Sequence, residues 1–440
     1  MFVTTNFGIK LSKKTDWAAN ELSSALNFKK NMRWIILVII YVVLDIYAFQ
    51  AFKTVTRHNL IYYIYLLLSL GALVFMLYQF NIVPEKDGWA GARSYSVGFF
   101  LALFVPKLIF FFLLFGEDIV RLVIGGVRKI FSYNSSEDAI PSRRKFISQL
   151  ALGIAAIPFA SLLYGMVQGR YNFRVLKYTL YFDDLPDAFD GYRIAQISDV
   201  HSGSFDNPEK IKYGIDLLNE QKSDVVLFTG DLVNNKASEM DNWKEVFGKI
   251  EAKDGVFSVL GNHDYGDYVN WESVEAKAQN LEALKKVHAD MGWNLMLNEH
   301  TFVERNGERI ALIGVENWGI GGFKQAGDLD RAAAGVDDRD FKVLLSHDPS
   351  YWQEKIKSDP KNYHLTLSGH THGMQFGIEI PGWFRWSPVQ YRYENWAGIY
   401  EEFGRYINVN RGFGYLAYPG RVGIWPEVSV IELRKGPKPA

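Results

Sequence analysis

Four apolar runs crowd into the first 167 residues of this chain, and they limit its fold more than any other feature. "WIILVIIYVVLDIYAF" (34–49), "LIYYIYLLLSLGALVFMLYQF" (60–80), "VGFFLALFVPKLIFFFLLF" (97–115) and "FISQLALGIAAIPFASLLYGMV" (146–167) follow one another. A helix needs about 20 mostly apolar residues to cross a bilayer. Buried core helices are the alternative, but four such runs in succession are hard to cover with protein. The runs predict an all-α, multi-pass membrane region over residues 1–168, with about four spans at roughly 34–52, 59–80, 96–116 and 146–167. Trp34, Tyr62, Tyr78 and Tyr95 sit near the span ends, where the interface favours such rings. Asp45 and Lys107 fall inside or beside the spans. Charge at that depth is expensive and turns toward other helices, so the two read as a structural pair, as residues near a helix end reaching the interface, or as part of an ion or substrate path.

Orientation is less direct. Basic residues cluster before the first span (Lys10, Lys13, Lys14, Lys29, Lys30, Arg33) and again between the third and fourth (Arg121, Arg128, Lys129, Arg143, Arg144, Lys145). Both clusters favour the cytoplasmic side, yet three crossings separate them, so one cluster breaks the rule or one run does not cross. "SRRKFI" (142–147) opens the fourth run and resembles a bacterial twin-arginine export signal placed internally; it is equally an ordinary basic flank. The export reading places everything after residue 168 outside a bacterial cell or inner membrane.

From residue 169 charges, glycines and short alternating runs appear. "YRIAQIS", "DVVLFTG", "GVFSVLG", "FKVLLSH" and "YHLTLSG" read as strands, and "PEKIKYGIDLLNEQ" and "SVEAKAQNLEALKKVHADMG" read as helices between them. Such alternation predicts an α/β layered domain over 169–440. With 48 Lys+Arg against 49 Asp+Glu, bulk charge gives no support to a polyanion-binding role, and no nucleic-acid-binding module or obligate protein partner is evident. The absence of cysteine excludes thiolate metal sites and cysteine nucleophiles.

The strands end in chemistry. "YRIAQISDVHSG" ends in Asp199 and His201, "DVVLFTGDLVNN" in Asp231, and "GVFSVLGNHDYG" in Asn262, His263 and Asp264. "FKVLLSHDPS" ends in His347, and "YHLTLSGHTHG" in His370 and His372. Each residue alone could cap a turn. Five strands that each deliver metal-capable groups at the carboxyl end, where α/β sheets bind ligands, argue for a common site. Two divalent ions about 3.5–4 Å apart form a clamp for phosphoryl transfer. Such a pair needs a bridging carboxylate, plus neutral imidazole and amide ligands that leave net positive charge for an anionic substrate.

The order D-x-H, G-D, G-N-H-D, a lone H, then G-H-x-H resembles the calcineurin-like metallophosphoesterase superfamily. With the spans in front, the chain resembles its membrane-associated bacterial branch. The resemblance implies a layered β-sandwich metallophosphoesterase domain flanked by helices. It implies that Asp199, His201 and His372 hold one metal, that Asn262, His347 and His370 hold a second, and that Asp231 bridges them. His263 would face the substrate and Asp264 would orient it by a hydrogen bond. His58, His288, His300 and His364 lack a motif and read as structural. The implied reaction is hydrolysis of a phosphodiester or pyrophosphate by metal-activated water, with no covalent enzyme intermediate. Mixed N/O ligands suit manganese, iron, zinc or cobalt alike. "IPGWFRWSPVQYRYENWAGIY" (380–400) is rich in aromatic and basic side chains. Trp383, Arg385, Trp386 and Arg392 are expected to bind substrate there, unless the segment is a packed loop or dips into the interface. A membrane anchor favours a lipid-linked substrate resembling UDP-diacylglucosamine. A nucleotide or cell-wall phosphodiesterase, or a sensor with a phosphoesterase-fold binding domain, are the other readings.

Overall fold

A computed structural model of the chain describes residues 8–83, 91–130, 140–380 and 383–439, with side chains from residue 32 onward except 128–129 and 140–142. The N-terminal basic cluster up to Lys30, and Arg128 and Lys129 of the second cluster, have side chains outside the described residues. Four long helices come first: α1 (Gly8–Val55), α2 (Asn59–Asn81), α3 (Gly91–Ile130) and α4 (Ile140–Val167). Within them Met32–Val55, Asn59–Asn81, Gly91–Val127 and Arg143–Val167 are long and apolar enough to cross a membrane. The third expected span, 96–116, is only part of a helix that runs on through Pro106. At 1.5 Å per residue a helix of that length exceeds the roughly 30 Å hydrocarbon core. Its extension carries Glu117, whose carboxylate accepts from Arg121 Nη2 at 2.9 Å and Arg144 Nη1 at 2.9 Å. The second arginine of "SRRKFI" is thus committed to an ion pair with Glu117.

By contacts the chain divides into two compact units, Met1–Leu73 with Leu101–Phe159, and Val74–Phe100 with Ala160–Ala440. In the first, Ala48 and Ala51 of α1, Phe110 and Leu114 of α3, and Ala151 and Ala155 of α4 pack together. Small residues at such contacts let helix backbones approach closely, where lipid supplies no hydrophobic driving force. Asp45 and Lys107 meet here: Lys107 Nζ lies 2.9 Å from Asp45 Oδ1 and donates to Ser69 Oγ.

The second unit holds two six-stranded sheets among the described residues. The strands are β1 (Arg174–Phe182), β2 (Arg193–Ile197), β3 (Val225–Phe228), β4 (Val256–Ser258), β5 (Asn294–Leu295), β6 (Glu299–Arg305) and β7 (Glu308–Gly314). They continue as β8 (Phe341–Leu345), β9 (Leu365–Ser368), β10 (Ile378–Ile380), β11 (Phe384–Trp386), β12 (Gly398–Glu402), β13 (Arg405–Val409) and β14 (Glu427–Lys435). One sheet runs β1-β14-β2-β3-β4-β5, the other β12-β13-β9-β8-β7-β6, and β10 pairs with β11 alone. Strands β2 to β5 are parallel, as are β7, β8, β9 and β13. Alternation along each strand separates the faces. Leu227 of β3 and Ile431 of β14 meet Val343 of β8 and Leu367 of β9 between the sheets. Val226 and Phe228 face outward onto Ile211 and Ile215 of α5 (Pro208–Asn219) and onto Leu284 and Val287 of the helix Val274–Asp290. On the far side Ile313 and Leu344 pack on Tyr351 and Trp352. Both faces of each sheet are covered, so β3, β8 and β9 are buried at every position, polar residues included. The layered sandwich flanked by helices, with four apolar helices in front, is the architecture expected from the sequence.

Three of the four histidines without motifs have side-chain partners in this frame, and His58 is exposed just before α2. His300 Nδ1 bonds Ala332 O at 2.9 Å, and His364 accepts from Lys342 N at 3.0 Å. His288 is fully buried, with Nδ1 2.9 Å from Ser258 Oγ. Burial pulls its pKa down to about 3. An unfolded chain would bind a proton there near pH 6.5. Stability from this group is therefore complete above about pH 6.5 and is lost as pH falls toward 3. By linkage the loss reaches about 2 kcal/mol at pH 5. Thermal unfolding of the full chain at pH 7 and pH 5 should show a smaller acid penalty in His288→Gln than in the parent; equal penalties would refute this account.

Candidate metal centre

The parallel strands β2, β3, β4, β8 and β9 end at one edge of the sandwich, and the expected ligands follow them directly. Two groups form among the described residues. Asp199, His201 and His372 bring ligand atoms within 4.8 Å of one another, and so do Asp231, His347 and His370. Asp231 links them: its Oδ2 lies 3.6 Å from His201 Nε2 and 3.2 Å from His347 Nε2. Asn262 joins the second group, with Oδ1 2.8 Å from His370 Nδ1, and its amide is turned by a 2.7 Å bond from Nδ2 to Tyr268 Oη. His370 and His372, adjacent but one in sequence, thus serve different groups.

This convergence is built from strained backbone. Asp199, His201, Asp231, His370 and His372 all have φ between 49° and 72°. Residues other than glycine seldom occupy that region, at a cost of order 1–3 kcal/mol each, and such strain collects at functional sites. Two glycines make the close approach possible. A Cβ on Gly261 would lie 2.2 Å from Asp231 Oδ1, and one on Gly369 would lie 2.2 Å from Asp199 Oδ2. Any side chain at either position would push a carboxylate out of the site.

The donor set fits divalent cations. His201 Nε2 and His372 Nε2 face each other at 2.9 Å, and His370 Nδ1 faces His347 Nε2 at 3.3 Å. Lone pairs so close repel unless a proton or a cation lies between them. The ring atoms behind them are fixed from outside: His347 Nδ1 donates to Thr229 O at 2.7 Å, leaving Nε2 free to ligate. Holding the far nitrogen in this way sets the tautomer of a ligating imidazole. Burial opposes charge on Asp231, yet His347 and His263 hold its carboxyl well below the usual range. Burial also opposes charge on His347, but Asp231, hydrogen-bonded to it, pulls it up to about 10. The site therefore draws a positive charge inward. An imidazole must be neutral to ligate, so metal loading releases that proton.

His263 stands beside the first group, its ring 4.9 Å from that of His201, with the Tyr268 ring tilted against it at 4.4 Å. The expected partner of His263 is corrected here. Its Nδ1 donates to Asn234 O at 2.8 Å, and Asp264 does not reach it. Asp264 is fully buried and instead accepts from the backbone N–H groups of Gly261 at 2.8 Å, Asp231 at 2.9 Å and Leu232 at 2.8 Å. A buried carboxylate takes the densest set of donors in reach, and here those are amides of the loops after β3 and β4. Asp264 thus shapes the turn that carries Asp231.

Beside the groups lies a cavity of about 440 Å³, lined by Asp231, Asn262, His263, His370 and His372, by Phe323, Val389, Tyr393 and Leu416, and by the exposed Met374 and Arg392. Of the four residues expected to bind substrate, Arg392 reaches this cavity. Trp383 and Arg385 line a separate cavity with Glu379 and Arg411, and Trp386 lies half-buried against Phe376. Three neighbours escaped the sequence reading. Tyr393 Oη lies 2.8 Å from His370 Nε2, Asp348 Oδ2 lies 3.5 Å from the same nitrogen, and Arg421 Nη2 lies 3.2 Å from His372 Nδ1. Asp348 directly follows His347, a signal that could have been used; nothing local marks Arg421.

The family model for calcineurin-like phosphoesterases matches residues 192–374, and the model described as "Probable Calcineurin-like phosphoesterase, transmembrane domain" matches residues 32–170. The chain is 28% identical over 302 residues to the Bacillus subtilis protein named "Uncharacterized metallophosphoesterase YkuE", covering 67% of this chain and 98% of the relative. It is 27% identical over 367 residues to the Danio rerio "Transmembrane protein with metallophosphoesterase domain", covering 82% of this chain and 77% of the relative. Among solved structures, the Mycobacterium tuberculosis phosphopantetheinyl hydrolase PptH aligns over 50% of this chain and 88% of its own, at 13% identity and a TM-score of 0.30.

Proposed function

Because this chain belongs to the calcineurin-like phosphoesterase family, with a transmembrane domain in front, we propose that it is a membrane-bound hydrolase of phosphodiesters or pyrophosphates. The observation that carries the reading is the gathering of seven side chains from five strand ends into two linked groups. Asp199, His201 and His372 would hold one divalent ion, Asn262, His347 and His370 a second, and Asp231 would contact both. Manganese, iron, zinc and cobalt all suit this donor set. Such ions, when bound, supply Lewis acidity toward phosphoryl oxygens and make water a nucleophile at neutral pH.

The chain's own groups do the rest. With Nδ1 donating to Asn234 O, His263 presents Nε2 to the cavity. Burial keeps this imidazole below its usual pKa; an anionic ester in the cavity supplies the charge that would protonate it. Nε2 then donates its proton to the leaving oxygen. Arg392, exposed on the cavity wall, offers a guanidinium to a phosphate or carboxylate of the substrate. The apolar wall of Phe323, Met374, Val389 and Leu416 supports a lipid-linked substrate, such as a nucleotide-linked diacyl sugar of the UDP-diacylglucosamine kind. The bilayer is then both anchor and substrate reservoir, and the catalytic domain is proposed to lie on the extracytoplasmic face of a bacterial membrane.

Hydrolysis of bis-p-nitrophenyl phosphate by the detergent-solubilised full chain, with and without added manganese, tests the reaction. No metal-dependent turnover would refute it. A preference for a lipid-linked pyrophosphate over the aryl diester tests the substrate class. His263→Gln should retain metal and lose about 10²–10⁴-fold in kcat. The loss should be smaller for p-nitrophenolate, which leaves without a proton, than for an alkyl alcohol; equal losses would remove the proton-donor role.

A further inference from the structure

The hairpin β10–β11 is built inside out. Its register pairs Ile378 with Trp386, Glu379 with Arg385, and Ile380 with Phe384. Residues two apart on a strand, and those directly opposite across it, share a face. One face therefore carries Ile378, Ile380, Phe384 and Trp386, and the other carries Glu379 and Arg385. The polar face is the one turned toward the domain. Glu379 Oε1 accepts from the buried Arg411 Nη2 at 2.5 Å, and Arg385 Nη1 donates to Ala397 O at 2.5 Å. The apolar face is left outward: Ile378, Ile380 and Phe384 are exposed, as are Met374 and Tyr391 beside them, and Trp383 at the bend is 81% exposed. Other exposed large apolar side chains of this domain, such as Tyr213, Val274 and Phe403, are scattered singly. Scattered residues need no explanation; a contiguous apolar face marks an interaction surface.

We propose that this face docks on the lipid bilayer, seating Trp383 and its neighbours in the interfacial layer. Three observations select lipid as the occupant. The last apolar helix ends at Val167 and β1 begins at Arg174, so six residues tie the domain to its membrane region. The composition is that of an interface: Trp383, Trp386 and Tyr391 among aliphatic side chains. The charge is also suitable. Between Met374 and Arg392 the one carboxylate is Glu379, turned inward and paired with Arg411, so the exposed Arg392 beside the face faces no carboxylate of this segment. A net positive edge complements anionic headgroups. Met374 also lines the cavity beside the metal groups, so docking brings that side of the cavity to headgroup depth. The inference concerns the hairpin alone and stands whether or not the proposed reaction is correct.

The chain has no cysteine, so one introduced cysteine carries a unique label. Full-length Trp383→Cys and Ile380→Cys, each bearing an environment-sensitive fluorophore, would be placed in nanodiscs of phosphatidylcholine and phosphatidylglycerol. Phe403→Cys, exposed but outside the face, is the reference. Labels at 383 and 380 should be quenched several-fold more strongly by nitroxide-bearing lipid than the label at 403, and should be shielded from aqueous iodide. Iodide access equal to that at 403 would overturn the proposal. Shielding without lipid-nitroxide quenching would assign the face to a protein contact, and would overturn it as well.

Discussion

Asp231→Asn is expected to remove bound metal and turnover together. Asp231 is the carboxylate within reach of both groups, 3.6 Å from His201 Nε2 and 3.2 Å from His347 Nε2. Two like-charged ions a few ångströms apart are tolerable only with negative charge between them, and an amide of the same shape supplies none. The substitution keeps the side-chain oxygen that accepts from His263 N at 2.8 Å, so the turn should survive. Changes to groups behind metal ligands cost about 10–100-fold in affinity or activity, and a shared ligand should cost more than that. Metal content of the purified full chain, measured beside hydrolysis of bis-p-nitrophenyl phosphate, decides the matter. A variant with normal metal and normal rate would remove Asp231 from the proposed role and the two-ion reading with it.

The second large effect is expected in the membrane region. Lys107 is 2% exposed, and besides its contacts with Asp45 and Ser69 its ammonium lies 3.7 Å from the centre of the Tyr41 ring. Asp45 also accepts from Tyr65 Oη and, at 2.9 Å, from Ser69 Oγ. Lys107→Met would leave the carboxylate without its cation, held by the Tyr65 and Ser69 hydroxyls alone. Breaking a buried pair by removing one partner typically costs about 3–5 kcal/mol, whereas replacing both partners with apolar groups is often neutral. Lys107→Met should therefore lower the melting temperature of the full chain in detergent markedly, and Asp45→Leu added to it should restore most of the loss. Restored stability with intact hydrolysis would identify a structural pair. Restored stability with lost hydrolysis would point to a path through the helices. A single variant as stable as the parent would show that the contact does not stabilise the helices.

Both cases show where sequence reasoning stops. The apolar runs and the alternating strands were legible because burial imposes a local period on the chain. The metal-capable residues were legible because each directly follows its strand, so strand identity carried them to one edge. The pairing of Asp45 with Lys107 was open, because nothing within a few residues of either names its partner. Asp264 was expected to hold His263 because the two are adjacent; it bonds instead to the amides of nearby Gly261 and of the distant Asp231 and Leu232, while His263 turns to Asn234.

The aromatic segment after residue 380 shows the same limit. Its composition raised substrate contact, packing and the interface alike. Only the register of β10 on β11, with the contacts of Glu379 and Arg385, showed that the charged residues face inward and the apolar face outward. What the sequence determined by itself was the two-part plan of the protein, apolar helices followed by an α/β sandwich, and the identity of the groups at its strand ends. What tertiary structure alone decided was which of those groups touch, through which atom, and on backbone held at positive φ. The physical reason is that hydrophobic patterning is a short-range property of the chain. A hydrogen bond or a ligand contact is settled by residues that folding brings together from distant positions.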